Sequence, residues 1–200
     1  MRLGLISDVH GQLDALLRAL DLLQQAGADR IVCAGDLVDK GPHPNEVVTA
    51  LNENLITTVL GNHDEAALAL GEDADGQRLT QSTKAFLTSL PELQDLQVEL
   101  RSLWLTHAVP GCTGATFDNG PVPKPVKRAL RHNAPDAVIF GHHHAPICRR
   151  FGRTWLINPG SVCRGRTRDS HTCGLLDVAH WEFTLFEIEP KRRAAVTSLL

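Results

Sequence analysis

The chain has 200 residues, 42% of them hydrophobic and 22% charged, and a formal net charge of −3. That length supports one sizeable core and a single domain over residues 1–200, while the near-neutral balance gives no general attraction to nucleic acid or to an anionic membrane. The apolar runs are too short to cross a bilayer, Met1 and Arg2 lead straight into "LGLIS" without a secretory leader, and five cysteines with no C-x-x-C pair do not suit a disulfide framework, so a reduced, cytoplasmic protein is expected.

In chain order, "RLGLIS" (2–7) reads as a buried strand and "LDALLRALDLLQQAG" (13–27) as a helix that stops at Gly27. "RIVCAG" (30–35) is a second strand, "NEVVTALNEN" (45–54) a helix, and "ITTVLG" (56–61) a third strand. Alternation of this kind with short loops predicts a parallel sheet covered by helices. A helical stretch around 80–90 follows, then a strand pair in "LQVEL" and "LWLTHA", and a helix in "PVKRALRH" (125–132). "AVIFG", "ICRRF", "TWLIN", "CGLLDV" and "FTLFEIE" complete the chain as strands. A parallel first half and a largely antiparallel second half predict two sheets packed as a sandwich with helices outside. The loop "VPGCTGATFDNGPVPKP" (109–125), rich in Gly and Pro, is the candidate substrate-facing segment.

The strand ends carry the chemistry. "SDVHG", "GDLVDKG", "GNHDE", "THA" and "GHHHA" each close an apolar run with Asp, Asn or His. Sites of α/β sheets form at the carboxyl ends of strands. A spacing of two puts Asp8 and His10 on one side of an extended chain, and likewise His142 and His144, with His143 turned away. Carboxylate, amide and imidazole together suit manganese, iron, zinc or nickel better than calcium or magnesium. One aspartate can bridge two ions.

D-x-H-G, G-D-x-x-D-x-G-P, G-N-H-D, a strand-end His and G-H-x-H, in that order between residue 7 and about residue 163, resemble the calcineurin-like metallophosphoesterases. The short length and "NPGSV" (158–162) look most like the compact bacterial phosphodiesterases of that superfamily. The resemblance implies a four-layer α/β/β/α sandwich of two mixed sheets flanked by helices. It implies that Asp8, His10, Asp36 and His144 hold one divalent ion, and that Asp36, Asn62, His107 and His142 hold a second. Manganese is the first expectation for both. A hydroxide shared by the two ions would attack phosphorus, with His63 beside the leaving group as general acid or charge stabiliser. Asn62 would also touch the substrate.

Two departures stand out. The strand-end His107 is followed by Ala where the family often has Gly. His63 stands where many compact phosphodiesterases have Cys, and here the chain resembles the phosphoprotein phosphatases, as it does in "GDLVDKGP". By that likeness Asp39 pairs with His63, and Lys40 takes the place of a phosphate-binding Arg, offering a point charge without a bidentate fork.

Plainer roles stand beside these. Asp8, Asp36 and Asn62 could each be helix N-caps, and Asp64 is expected to cap "EAALAL". Arg164, Arg166 and Arg168 form either a solvated turn or an anion site, with Arg164 and Arg166 as the substrate-binding candidates. Cys163 is near the site with no base to activate it, and reads as structural. His143 is expected in solvent or behind the ligands, and His43, His132, His171 and His180 on the surface, as is "PKRR" (190–193). The expected function is two-metal hydrolysis of a small, nucleotide-like phosphoric ester. A phosphoprotein phosphatase is the alternative within enzymes. A non-catalytic scaffold, like the retromer subunit that resembles this family but lacks the catalytic His, is the alternative outside them.

Overall fold

The computed structural model describes residues 1–110, 121–131, 134–165, 169–188 and 196–198, the last three as backbone. Strands β1 (Arg2–Ile6), β2 (Arg30–Cys33) and β3 (Thr57–Thr58) alternate with helices α1 (Leu13–Gln25), α2 (Pro44–Glu53) and α3 (Asn62–Leu70), and α4 (Gln81–Ser89) follows. The chain continues through β4 (Leu93–Val98), β5 (Arg101–Thr106), α5 (Lys124–Ala129), β6 (Ala137–Ile139), β7 (Pro146–Phe151) and β8 (Thr154–Pro159). It closes with β9 (Thr172–Asp177), β10 (Glu182–Glu187) and β11 (Val196–Ser198).

Two mixed sheets result. One runs β11-β10-β9-β1-β2-β3 and the other β4-β5-β6-β8-β7. Alternation along β1 sets its two faces. Leu3 and Leu5 join Val32 and Ala34 against Leu103, Leu105, Ala137 and Ile139 of the second sheet. Ile6 points the other way, into a cluster with Leu16, Ala19 and Leu23 of α1 and Val47 and Leu51 of α2. Each such leucine or isoleucine contributes about 1.5–3 kcal/mol on burial. Gly4 lets α1 approach closely, because a Cβ there would lie 2.9 Å from Ile31 Cγ1 and 3.0 Å from Leu23 Cδ1. On the far side, Val126 and Leu130 cover the second sheet at Val138, Phe140 and Leu156. The layers are therefore helix, sheet, sheet, helix, as the motif resemblance implied.

One expectation needs correction. The third strand is only two residues long, because past Val59 the chain leaves β2 and Leu60 N–H bonds instead to Pro91 O. The second half is largely antiparallel, as expected, with β5, β6 and β8 as parallel neighbours within it. The hairpin β7–β8 produces the β6–β8 neighbours by placing β7 at the edge and returning β8 beside β6. Both halves contribute to the first sheet, because β9 and β10 return to the side of β1. Strand alternation says which face is buried but not which sheet a strand joins. Among the described residues, no helix is long and apolar enough to cross a membrane. Most of the 109–125 loop, Arg166, Arg168, His132 and "PKRR" lie outside the described residues.

Candidate metal centre

The parallel strands of both sheets end on one rim, and the motif residues follow them: Asp8 after β1, Asp36 after β2, Asn62 at the start of α3, His107 after β5, and His142 and His144 after β6. The cap alternative fails for the three candidates, because α1, α2 and α3 begin after Gln12, His43 and Gly61. The shared side of D-x-H and H-x-H also has a cause other than extended chain. Asp8, His10, His142 and His144 have φ of 53°, 48°, 68° and 58°, as do Asp36, Asp39 and Lys40 at 56°, 77° and 68°. Left-handed turns re-aim these side chains inward, at a cost of about 1–3 kcal/mol each. Two glycines make room: a Cβ on Gly61 would collide with Asp36, and one on Gly141 with Ser7 and Asp8.

The donor atoms form a continuous chain. His144 Nε2 lies 3.2 Å from Asp8 Oδ1 and 3.3 Å from His10 Nε2. His10 Nε2 is 3.6 Å, and His107 Nε2 3.2 Å, from the same Asp36 Oδ2. Asn62 Oδ1 then sits 3.0 Å from His107 Nε2 and 2.9 Å from His142 Nδ1. Two donors each about 2.1 Å from one metal ion stand about 3.0–3.4 Å apart, so these spacings fit metal ligation. Three rings are oriented for it. His10, His107 and His144 place Nδ1 against Val38 O, Ala34 O and Asp169 Oδ1, at 3.3, 2.7 and 2.6 Å. Those oxygens only accept, so Nδ1 carries the proton and each Nε2 lone pair faces the cluster.

The electrostatics also suit cations. Burial pushes Asp8 and Asp36 up, but the facing histidines outweigh it and hold both carboxyls below the usual range. Burial pulls His10 down to about 4. In His107 and His144 burial is overcome, by Asp36 and by Asp8 respectively, and the rings rise to about 9 and about 11. Protons on these imidazoles supply positive charge that divalent ions bound to the same lone pairs would replace.

Asp64 does more than the expected cap. It is fully buried, and its Oδ1 accepts the N–H groups of Leu37 at 2.7 Å and Val38 at 3.0 Å. Its Oδ2 accepts Gly61 N–H at 3.0 Å. One side chain thereby ties the loop carrying Asp36 to the turn carrying Asn62. Burial and the nearby Asp36 push its carboxyl up to about 7, against those three donors.

Asp39 Oδ2 lies 2.5 Å from His63 Nδ1, while its Oδ1 accepts Ala74 N–H at 2.8 Å. Lys40 Nζ is 2.8 Å from His63 Nε2 and 3.4 Å from His10 Nε2, so the lysine and histidine meet beside the cluster. Two recesses flank it. One of about 230 Å³ is lined by His10, Lys40, Asp75, His144 and Arg164. The other, about 570 Å³, is lined by Asn62, His107 and His142 with Leu60, Leu93 and Val109. Arg164 is exposed, and the Gln12 side chain bonds its backbone N–H and carbonyl at 3.0 and 2.7 Å.

Cys163 lies 3.8 Å from His144 Nδ1, which is already bonded to Asp169 Oδ1 and so offers it no base, and burial pushes its thiol up. Of the two places expected for His143 the structure has the buried one, with its ring 5.9 Å edge-on from Phe140. Asp169 was missed altogether, because an aspartate in a polar turn carries no local mark of the histidine it meets.

The calcineurin-like phosphoesterase superfamily domain matches residues 1–180. The chain is 32% identical to "Phosphodiesterase YfcE" of Escherichia coli K12 over 187 residues, covering 88% of each chain. The solved structure described as YfcE, a phosphoesterase from E. coli, aligns over the whole of both chains with a TM-score of 0.63 and 25% identity. A metallophosphoesterase from Sphaerobacter thermophilus shares the fold, with a TM-score of 0.70 at 23% identity over 92% of this chain and 86% of that one. The match runs along nearly the full length, and the chain belongs to the calcineurin-like phosphoesterase superfamily, a metal-dependent family of phosphodiesterases and phosphatases.

Proposed function

We propose that the chain, acting as a single domain, hydrolyses small phosphoric esters with two divalent transition-metal ions. Asp8, His10, Asp36 and His144 would hold one ion, and Asp36, Asn62, His107 and His142 the other. The observation that carries this reading is Asp36 Oδ2, which lies 3.6 Å from His10 Nε2 on one side and 3.2 Å from His107 Nε2 on the other. Bound there, such ions supply activation of water at neutral pH and neutralisation of charge on the phosphoryl group. The mixed oxygen and nitrogen donors favour manganese, with iron, zinc or nickel as competitors.

The chain's own residues divide the remaining work. His63 would protonate a leaving oxygen, a role supported by the Asp39 carboxylate against its Nδ1. Lys40 offers a cation to the phosphoryl group from beside His63, and Arg164 a second one from the rim of the same recess. The larger recess, about 570 Å³, has the size of a small-molecule site, which favours a nucleotide-like ester over a protein substrate. The similarity to a phosphodiesterase favours diesters. The Asp39–His63 pair favours a second reading, hydrolysis of phosphomonoesters with poor leaving groups. The four described cysteines are free, three of them buried, which suits the reducing cytoplasm.

The test starts from protein stripped of metal by chelation and reloaded with manganese, iron, zinc or nickel. Rates are compared on bis(nitrophenyl) phosphate, nitrophenyl phosphate and a panel of cyclic, dinucleotide and monoester nucleotides. Metal-dependent turnover of at least one class is expected. Equal rates with and without metal on every substrate would refute the reading.

A further inference from the structure

We infer that Asp169 is a positioning residue for the metal centre: it holds His144 in the one tautomer and orientation that aims Nε2 at Asp8 and His10. The inference rests on the reading of His144 as a ligand. Asp169 Oδ1 lies 2.6 Å from His144 Nδ1, and its side chain is only 4% exposed. A carboxylate accepts and does not donate, so Nδ1 keeps its proton and Nε2 is the nitrogen whose proton a bound ion would replace. The opposite edge agrees, since Nε2 is 3.2 Å from Asp8 Oδ1 and 3.3 Å from His10 Nε2.

His144 differs here from its two counterparts. His10 and His107 are anchored through Val38 O and Ala34 O, backbone acceptors that survive any side-chain substitution. His144 is anchored by a side chain that lies 25 residues away in sequence. Cys163 also faces Nδ1, but at 3.8 Å and with a thiol that burial keeps neutral, so it is the weaker acceptor. His144 itself has a left-handed backbone, φ 58°, and follows a turn that strand pairing does not hold. The ring therefore needs an anchor of its own.

The experiment is metal titration of the full chain after chelation, followed by calorimetry with Mn²⁺ and by visible absorption with Co²⁺, in wild type, D169A and D169N. Wild type is expected to take up two ions. D169A should weaken one of them by about 10–100-fold and change the Co²⁺ spectrum, while the other ion binds within about threefold of wild type. D169N keeps an accepting oxygen at the same place and should recover most of the lost affinity. Thermal melting of the metal-free variants identifies any that fail to fold, and D169N then carries the comparison. Wild-type affinity for both ions in D169A would overturn the inference, as would equal weakening of both ions or no recovery in D169N. Uptake of fewer than two ions by wild type would instead overturn the two-ion reading, so the two failures are distinguishable.

Discussion

Replacing Asp64 by alanine tests whether the metal-binding rim is held by the scaffold. The carboxylate accepts Leu37 N–H at 2.7 Å, Val38 N–H at 3.0 Å and Gly61 N–H at 3.0 Å, in a fully buried position. Alanine strands all three donors. Each buried unsatisfied N–H costs about 1–3 kcal/mol, and water entering the small void would recover part of the total, so a loss of about 3–5 kcal/mol is expected. Asp64→Asn keeps an oxygen for Leu37 and Val38 but turns an NH₂ toward Gly61 N–H, one clash of two donors. Its expected loss is about 1–3 kcal/mol. Urea unfolding of the metal-free proteins measures both. Because Leu37 follows Asp36 and Gly61 precedes Asn62, Asp64→Ala should also weaken metal uptake, read by calorimetry. An alanine variant within about 1 kcal/mol of wild type, in the range of ordinary surface substitutions, would refute this account of the clamp.

Asp36→Ala should abolish turnover and leave less than one ion per chain by elemental analysis, because one carboxylate faces both histidine sets. His142→Ala and His144→Ala should each be severely impaired, while His143→Ala, whose ring packs on Phe140, keeps at least about a tenth of the wild-type rate. His63→Asn should slow alkyl or nucleoside phosphates at least about tenfold more than nitrophenyl ones in single-turnover measurements, since a nitrophenolate leaves without a proton. In the metal-free protein His107 is raised from 6.5 to about 9. Its contribution is then fully present below about pH 6.5 and lost as pH rises through 9, a fall of about 3 kcal/mol. His107→Gln should remove that slope from urea midpoints taken between pH 6 and pH 9.5.

Legibility differed with the range of the interaction. The βαβαβ start was readable because β1 is an apolar run buried on both faces, while α1 buries one face through Leu16, Ala19 and Leu23 at helical spacing. The ligand candidates were readable because each motif sits at a strand end within a few residues. The partition of later strands between sheets was not, since β9 pairs with β1 across the whole chain and alternation is blind to partner. Asp64 was half legible. Its place three residues beyond Gly61 marks a helix start, but its bonds to Leu37 and Val38 span 27 and 26 residues. Asp169 was illegible for the same reason, since it meets His144 across 25 residues of sequence. The inward aim of Asp8, His10, His142 and His144 was reached from extended-strand geometry, whereas left-handed turns produce it.

Those turns raise the question of what offsets their strain when no ion is bound. Backbone bonding supplies one answer. Beyond the ends of β1 and β2, Asp8 N–H still bonds Gly35 O at 3.0 Å, His10 N–H bonds Asp36 O at 3.0 Å, and Gly11 N–H bonds Leu37 O at 2.8 Å. The next loops join the same net, with Cys163 N–H on Asp8 O at 3.0 Å and Gly141 N–H on His107 O at 3.0 Å. Buried main-chain groups must find partners, and here they find each other across the loops that carry the ligands. The left-handed conformations at Asp8 and His10 are therefore held by main-chain bonds that no ligand substitution removes, whereas His142 N–H is held by the Asp8 carboxylate, at 3.1 Å from Oδ2. A rim built this way is preorganised: the ions need not order the loops, and their binding energy is not spent on doing so. It follows that losing one ligand side chain should change metal occupancy and rate far more than it changes the fold, whereas losing Asp64, which joins two of the loops, should change both.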